Sequence, residues 1–198
     1  MIANEVELYT FEELSDSAKE NARDWWRQHC LDYEWWDSVF EMAKEAGDCL
    51  GIYIDRIYFS GFYSQGDGAC FEGSYYYRKG WREALKQRFG GNLLEELEEI
   101  GYMLQKVQSS AFYKLSASVS QSGHYMHSGC TDIQVEHEDR FAPNEDEEEG
   151  IKEGLRAFMD WIYRKLEAEY EWLMSDEQVD EALIANSYEF TEDGSFVW

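Results

Sequence analysis

Between Ile52 and Tyr77 the chain passes twice through β-branched and aromatic residues, Ile52 to Gln65 and Ala69 to Tyr77, with Gly66-Asp67-Gly68 between them. Two such runs parted by glycines read as a β-hairpin, because glycine supplies the positive φ that a tight reversal needs. A second hairpin is expected from Tyr113 to Gln121 and Cys130 to His137, joined by the Gly- and Ser-rich segment Ser122 to Gly129. Hairpins set neighbouring strands antiparallel, which excludes the strand–helix–strand order of a parallel sheet.

Helical periodicity surrounds these hairpins. Thr10-Phe11-Glu12-Glu13 has capping-box form and Ser15 is a second N-cap candidate, ahead of an apolar stripe of Ala18, Ala22, Trp25, Trp26 and Cys30. Asp32 is placed to cap a partner helix carrying Trp36, Val39, Phe40, Ala43 and Ala46 as far as Gly47. Between the hairpins, Trp81 to Phe89 forms a short helix, and Asn92 starts a longer one with Leu93, Leu97, Ile100, Leu104 and Val107 on one face. After Pro143, the acidic run Glu145 to Glu149 suits a helix N-terminus. Ile151, Leu155, Phe158, Ile162, Leu166, Tyr170 and Leu173 then line one face of a long helix. Ser175-Asp176-Glu177-Gln178 caps a short last helix with Val179, Ala182 and Leu183, and the tail Tyr188 to Trp198 turns at Glu192-Asp193-Gly194. The expected fold is α+β: a four-stranded antiparallel sheet from two hairpins, packed by an N-terminal helix pair, connecting helices and a long C-terminal helix, with a small terminal hairpin. One domain is expected over 1–198, with a helical part at 1–49, the hairpins and their helices at 50–137 and an acidic helical part at 138–198.

Charge narrows the function. The 198 residues hold 42 Asp and Glu against 17 Lys and Arg, a formal charge of -25, while aromatic residues make up 17%. So many rings exclude disorder as the main state, and the charge excludes attraction to duplex nucleic acid or anionic membranes. Met1 to Tyr9 lacks the basic-then-apolar form of a secretory leader, and no apolar stretch reaches 18 residues. A cytosolic protein is expected, with Cys30, Cys49, Cys70 and Cys130 as thiols, all four buried as small hydrophobic residues.

Motifs for chemistry are sparse. His124, His127 and Cys130 stand at three-residue spacing, as zinc ligands can, with Cys70 as a conceivable fourth. A closed zinc site needs four ligands and no second paired knuckle is present, so histidines at a hairpin end are the plainer reading and no metal or other cofactor is expected. Gly61 to Gly68 has the glycines of a phosphate loop, but an alternating strand follows where a helix would have to begin. Asp67 and Glu72 make only a loose carboxylate pair. Neither a nucleophile elbow, a P-loop, an H-E-x-x-H nor an EF-hand loop occurs, and the chain is expected not to be an enzyme.

Trp25-Trp26 and Trp35-Trp36 are adjacent pairs, and one ring of each cannot follow its helix stripe inward. Those rings are left to face a partner or a second copy of the chain. Lys and Arg stop at Lys165, beyond which only carboxylates follow. A contact face is expected from Glu145, Asp146, Glu147, Glu148, Glu149, Glu167, Glu169, Glu171, Asp176, Glu177, Asp180 and Glu181, with Trp35 and Trp172 as anchors. A second acidic cluster lies at Glu95, Glu96, Glu98 and Glu99. Carboxylates three or four residues apart on a helix stand about 5–6 Å from each other. That is the scale of successive phosphates on a nucleic-acid strand. The plain alternative is a charge that only keeps the protein soluble.

The run Tyr58-Phe59-Ser60-Gly61-Phe62-Tyr63-Ser64-Gln65-Gly66-Asp67-Gly68-Ala69-Cys70-Phe71-Glu72-Gly73 resembles the signature of small proteins of bacteriophages and prophages, often labelled "antitoxin of toxin–antitoxin stability system". Glu13-Leu14-Ser15 with Ala18-Lys19, Asp32 to Trp36, Gly123 to Gly129 and Leu166 to Glu171 are similar to the same group. The resemblance implies an accessory protein acting in the cytoplasm of a bacterial host. Joined to the acidic surface, it sets the expected function: an anti-CRISPR or anti-restriction inhibitor that mimics DNA in the basic groove of a host nucleic-acid-binding protein. The alternatives are an antitoxin-like protein that neutralises a basic toxin and a zinc- or nucleotide-binding accessory protein.

Overall fold

In chain order the elements are β1 (Tyr9–Thr10), α1 (Asp16–His29), α2 (Asp37–Leu50), β2 (Ile52–Phe59), β3 (Ala69–Tyr76), α3 (Trp81–Arg88), α4 (Gly91–Ser110), β4 (Leu115–Ser120), β5 (Asp132–His137), α5 (Glu145–Leu173), α6 (Asp176–Ala185) and β6 (Glu189–Phe190). The computed structural model describes residues 7–140 and 142–197, so most of the leader reading at Met1 to Tyr9 and the Trp198 end of the expected hairpin lie outside the described residues. The α+β architecture is as expected, with β2-β3-β4-β5 forming one antiparallel sheet. The expected single domain resolves into two compact units, 37–167 and a smaller one made of 1–36 with 168–198.

In the larger unit, alternation sorts the sheet into two faces. Phe71, Tyr75, Leu115, Ala117, Val119 and Ile133 are buried, whereas Ser118, Ser120, Gln134 and Glu136 are exposed. Phe71 meets Phe158 of α5 edge to face at 6.1 Å, and Phe158 stacks on Trp161 at 5.5 Å. Fully buried rings of this size each contribute about 1.5–3 kcal/mol of transfer free energy. Helices α4 and α5 approach closely because a Cβ on Gly150 or Gly154 would fall 2.5 and 2.6 Å from Val107 and Leu104. An extra residue at Asp55 bulges β2 between the pairs Ile54–Gly73 and Arg56–Glu72. Gly73 has φ of 156° there, with Tyr53 O where a Cβ would go.

The smaller unit packs Phe11, Leu14, Ala18, Ala22 and Trp26 against Val179, Leu183 and Phe190. Two rungs, Tyr9–Phe190 and Thr10–Glu189, pair β1 with β6. The terminal turn forms around Gly194 and closes on a single Phe190–Phe196 bridge. Ser15 and Ser175 cap α1 and α6, and Thr10 with Glu13 forms the expected capping box, on a 3-10 turn.

Three local readings change. Helix α2 begins at Asp37, so Asp32 is not its cap and Trp36 precedes it. Strand β2 ends at Phe59, and Gly61 to Gln65 belong to a loop in which the Asp67 carboxylate takes the Ser64 amide at 2.7 Å, a side-chain bond that replaces ladder pairing. Of the pair Trp25-Trp26, from which one ring is expected to face a partner, Trp26 is buried and Trp25 is covered from within its own unit: Phe196 stacks on it at 4.0 Å, with Tyr188 and Phe190 edge-on.

Candidate functional site

The segments Gly66 to Gly68 and Tyr125 to His127 meet at one end of the sheet. A Cβ on Gly68 would lie 2.5 Å from both Cα and Cβ of His127, and one on Gly66 would touch the Tyr125 ring at 3.4 Å. The loop from Ser60 to Gly68 is pinned by the Gly68 amide on Ser60 Oγ at 3.1 Å and by Asp67 on Ser64. Tyr63 sits there with φ of 76°, in the left-handed region where a bulky residue is strained. Its side chain is 72% exposed, and that of Tyr125 58%.

The proposed zinc ligands are only partly gathered. Cys130 Sγ lies 3.1 Å from His127 Nε2, while His124 packs edge-on to Tyr125. Cys70 is fully buried on β3, where burial pushes its thiol up to about 11. Glu72 accepts from the Tyr58 hydroxyl at 2.8 Å, and Asp67 is spent on its own loop. Among the described residues no three His, Cys, Asp or Glu side chains are grouped to hold a metal ion.

Of the expected acidic face, Glu145 to Glu149 and Glu167 belong to the larger unit and the rest to the smaller. Glu147 is buried, 4% exposed, and is a structural residue. Its carboxylate takes Arg140 Nη2 at 2.6 and 2.7 Å and the Asn144 amide at 2.9 Å, while Asn144 Oδ1 takes the Glu147 amide in return, a complete cap on α5. Glu148 pairs with Lys152 and Glu149 with Arg156. Of the second cluster, Glu96 holds Lys165 and Glu98 holds Arg82. An open groove of about 710 Å³ beside Glu147 has its charges likewise paired, Lys114 with Asp139 and Arg140 with Glu147.

Burial pushes the Glu147 carboxyl up, but Arg140 and the Asn144 amide outweigh it and hold it below its ordinary value of 4.5. A carboxyl lowered by folding stabilises the fold above its unfolded pKa, and that stabilisation is lost as pH falls through the folded value. Glu147→Gln is therefore expected to lower the urea midpoint at pH 7 and to flatten its fall below pH 4.5. An unchanged pH dependence would assign the acid sensitivity elsewhere.

The smaller unit carries a different balance. It holds 18 Asp and Glu against three Lys and Arg, -15 on 67 residues, which leaves -10 on the other 131. All three cations are engaged. Arg23 is held by Asp180 through two bonds of 2.6 and 2.7 Å and by Glu20, and Arg27 by Asp176 and the Met174 carbonyl. Lys19 lies over the Phe11 ring. These contacts neutralise Asp176 and Asp180 of the expected face. Glu177 and Glu181 remain exposed on α6, with no Lys or Arg against them among the described residues. Trp172 is 52% exposed beside them in sequence, whereas Trp35 packs on Trp36 and Tyr170. The sequence held one cue to this seam, Arg23 and Arg27 four apart on a helix otherwise poor in cations.

Fold and surface together define an acidic α+β protein with a paired-loop end and an anionic smaller unit. A domain family of unknown function, DUF8835, matches residues 35–176, and the chain belongs to that family. The match contains all of the larger unit and stops at the first residue of α6. No curated protein and no solved structure matches the chain. Among the described residues no helix is long and apolar enough to cross a membrane.

Proposed function

We propose that this protein is a non-catalytic inhibitor from a phage or prophage, which acts in the cytoplasm of a bacterial host. It seats carboxylates in the basic nucleic-acid groove of a host defence protein, a CRISPR effector or a restriction enzyme. The observation that supports this reading is the -15 charge of the smaller unit, whose three cations are all engaged within it. Holding so many like charges together costs self-repulsion, which a basic partner relieves. The contact residues are Glu169, Glu177 and Glu181, with Trp172 as the apolar anchor that charge alone lacks. Glu147 drops out of the face, and the paired Glu148, Glu149, Asp176 and Asp180 contribute little.

The test is a tagged pull-down from bacterial lysate, eluted first with salt and then with duplex DNA. A nucleic-acid-binding defence protein displaced by DNA is the expected catch. The double variant Glu177→Lys, Glu181→Lys is expected to weaken capture about tenfold at low salt, an effect that fades as salt screens the charges. Undiminished capture by that variant would overturn the mimicry, and a basic toxin held regardless of DNA would replace it with an antitoxin-like role.

A further inference from the structure

The loop end of the larger unit holds an imidazole and a thiol in reach of each other, and the acidic-surface reading makes no use of them. Cys130 Sγ lies 3.1 Å from His127 Nε2, and the Cys130 amide donates to the His127 carbonyl at 3.0 Å, which closes the three-residue turn between them. Two glycines leave the space that this arrangement needs. Gly68 packs on the His127 backbone, and Gly129 lies under its ring, where a Cβ would be 3.2 Å from Cε1 and Nδ1. Contrary to the expected burial of all four cysteines, Cys130 on its loop is exposed and Cys30 is half-buried, while Cys49 and Cys70 are buried.

We propose that His127 and Cys130 form a thiol-exchange site that reacts with low-molecular-weight disulfides of the glutathione type. His127 Nε2 accepts the Cys130 proton as the sulfur attacks one sulfur of the disulfide in line. The disulfide S–S bond breaks as the new bond to Sγ forms, and the departing thiolate takes the proton from the imidazolium. One mixed disulfide and one free thiol result, with no net oxidant consumed beyond the disulfide itself. Carbon-bound hydrogen at Gly68 and Gly129 is what lets backbone and ring come this close, so both glycines are positioning residues for the pair. Tyr125, whose ring centroid is 6.3 Å from that of His127, walls one side without blocking the sulfur.

The experiment uses the full chain, native, with an aromatic disulfide reagent followed by stopped-flow absorbance and with glutathione disulfide followed by intact mass. One thiol per chain is expected to react fast, and Cys130→Ser to abolish that phase. His127→Ala, which keeps the sulfur, is expected to slow it about tenfold or more near neutral pH. Gly129→Ala keeps both reacting groups and displaces the ring, and is expected to slow the reaction with circular dichroism unchanged. A fast phase that survives Cys130→Ser, or one indifferent to both His127→Ala and Gly129→Ala, would overturn the proposal.

Discussion

Gly101→Ala is expected to destabilise the larger unit by about 3 kcal/mol, at the upper end of what overpacking usually costs. A methyl group there would stand 2.2 Å from Cζ3 of Trp81 and 2.5 Å from two further ring carbons. The indole cannot yield, because its Nε1 donates to Gln105 Oε1 at 2.7 Å and Tyr102 meets its edge at 5.2 Å. Either α4 moves away from α3 or Trp81 leaves its slot with its hydrogen bond broken, and both routes expose a ring now 5% exposed. Urea unfolding followed by tryptophan fluorescence measures the change. A shift below about 1 kcal/mol, the ordinary range for an exposed glycine-to-alanine change, would mean that the slot is looser than these distances state.

Gln108→Ala is expected to cost a similar amount for a different reason. The last rung between β3 and β4 is Tyr76–Ser116, and the next residue of β4, Leu115, would leave its amide and carbonyl unpaired inside the protein. Gln108, fully buried on α4, supplies both partners: Oε1 accepts from the Leu115 amide at 3.2 Å and Nε2 donates to its carbonyl at 2.7 Å. Its side-chain amide acts as one more rung of the sheet. Nε2 also reaches the Tyr75 hydroxyl at 3.3 Å. Removing the amide orphans two buried backbone groups at about 1–3 kcal/mol each and opens a cavity. Gln108→Glu should be nearly as damaging, since a carboxylate cannot donate to the carbonyl. Hydrogen exchange at Leu115 gives the local readout, and an unchanged rate in Gln108→Ala would show that the rung is dispensable.

The periodic features were legible in the chain. Ile151, Leu155, Phe158, Ile162 and Leu166 are all fully buried on α5, and the serine caps fall where the side-chain chemistry put them. Both hairpins pair as read, although the strands are shorter, because side-chain bonds such as Asp67 to Ser64 compete with the ladder in a way that residue type alone does not weigh. Long-range closure was not legible. Two rungs between Tyr9 and Phe190 leave no pattern in either segment, so the division into two units and the cover over Trp25 had no cue. The acidic runs hid most. Five consecutive carboxylates look alike on paper, yet Glu147 is a buried cap, Glu148 and Glu149 are paired, and Glu145 and Asp146 face solvent, differences made by a helical turn of 100° per residue and by cations elsewhere in the chain. His127 and Cys130 stand at ligand spacing in the sequence, and what the spacing does not convey is that two glycines leave room for the ring beside the sulfur.

The smaller unit is assembled from the two ends of the described chain, with Tyr9 in register against Phe190. On a ribosome these ends appear at opposite times. Residues 37–167 emerge as one uninterrupted stretch and hold their sheet and its helices among themselves, so they can fold while synthesis continues. Phe11, Leu14 and Trp26 must wait, their apolar faces uncovered, until Val179, Leu183 and Phe190 have left the exit tunnel. The anionic surface is therefore the last part of the molecule to take shape. A product cut short within α6, or a chain clipped beyond Trp26, keeps the body of the protein and loses the face offered to a basic partner.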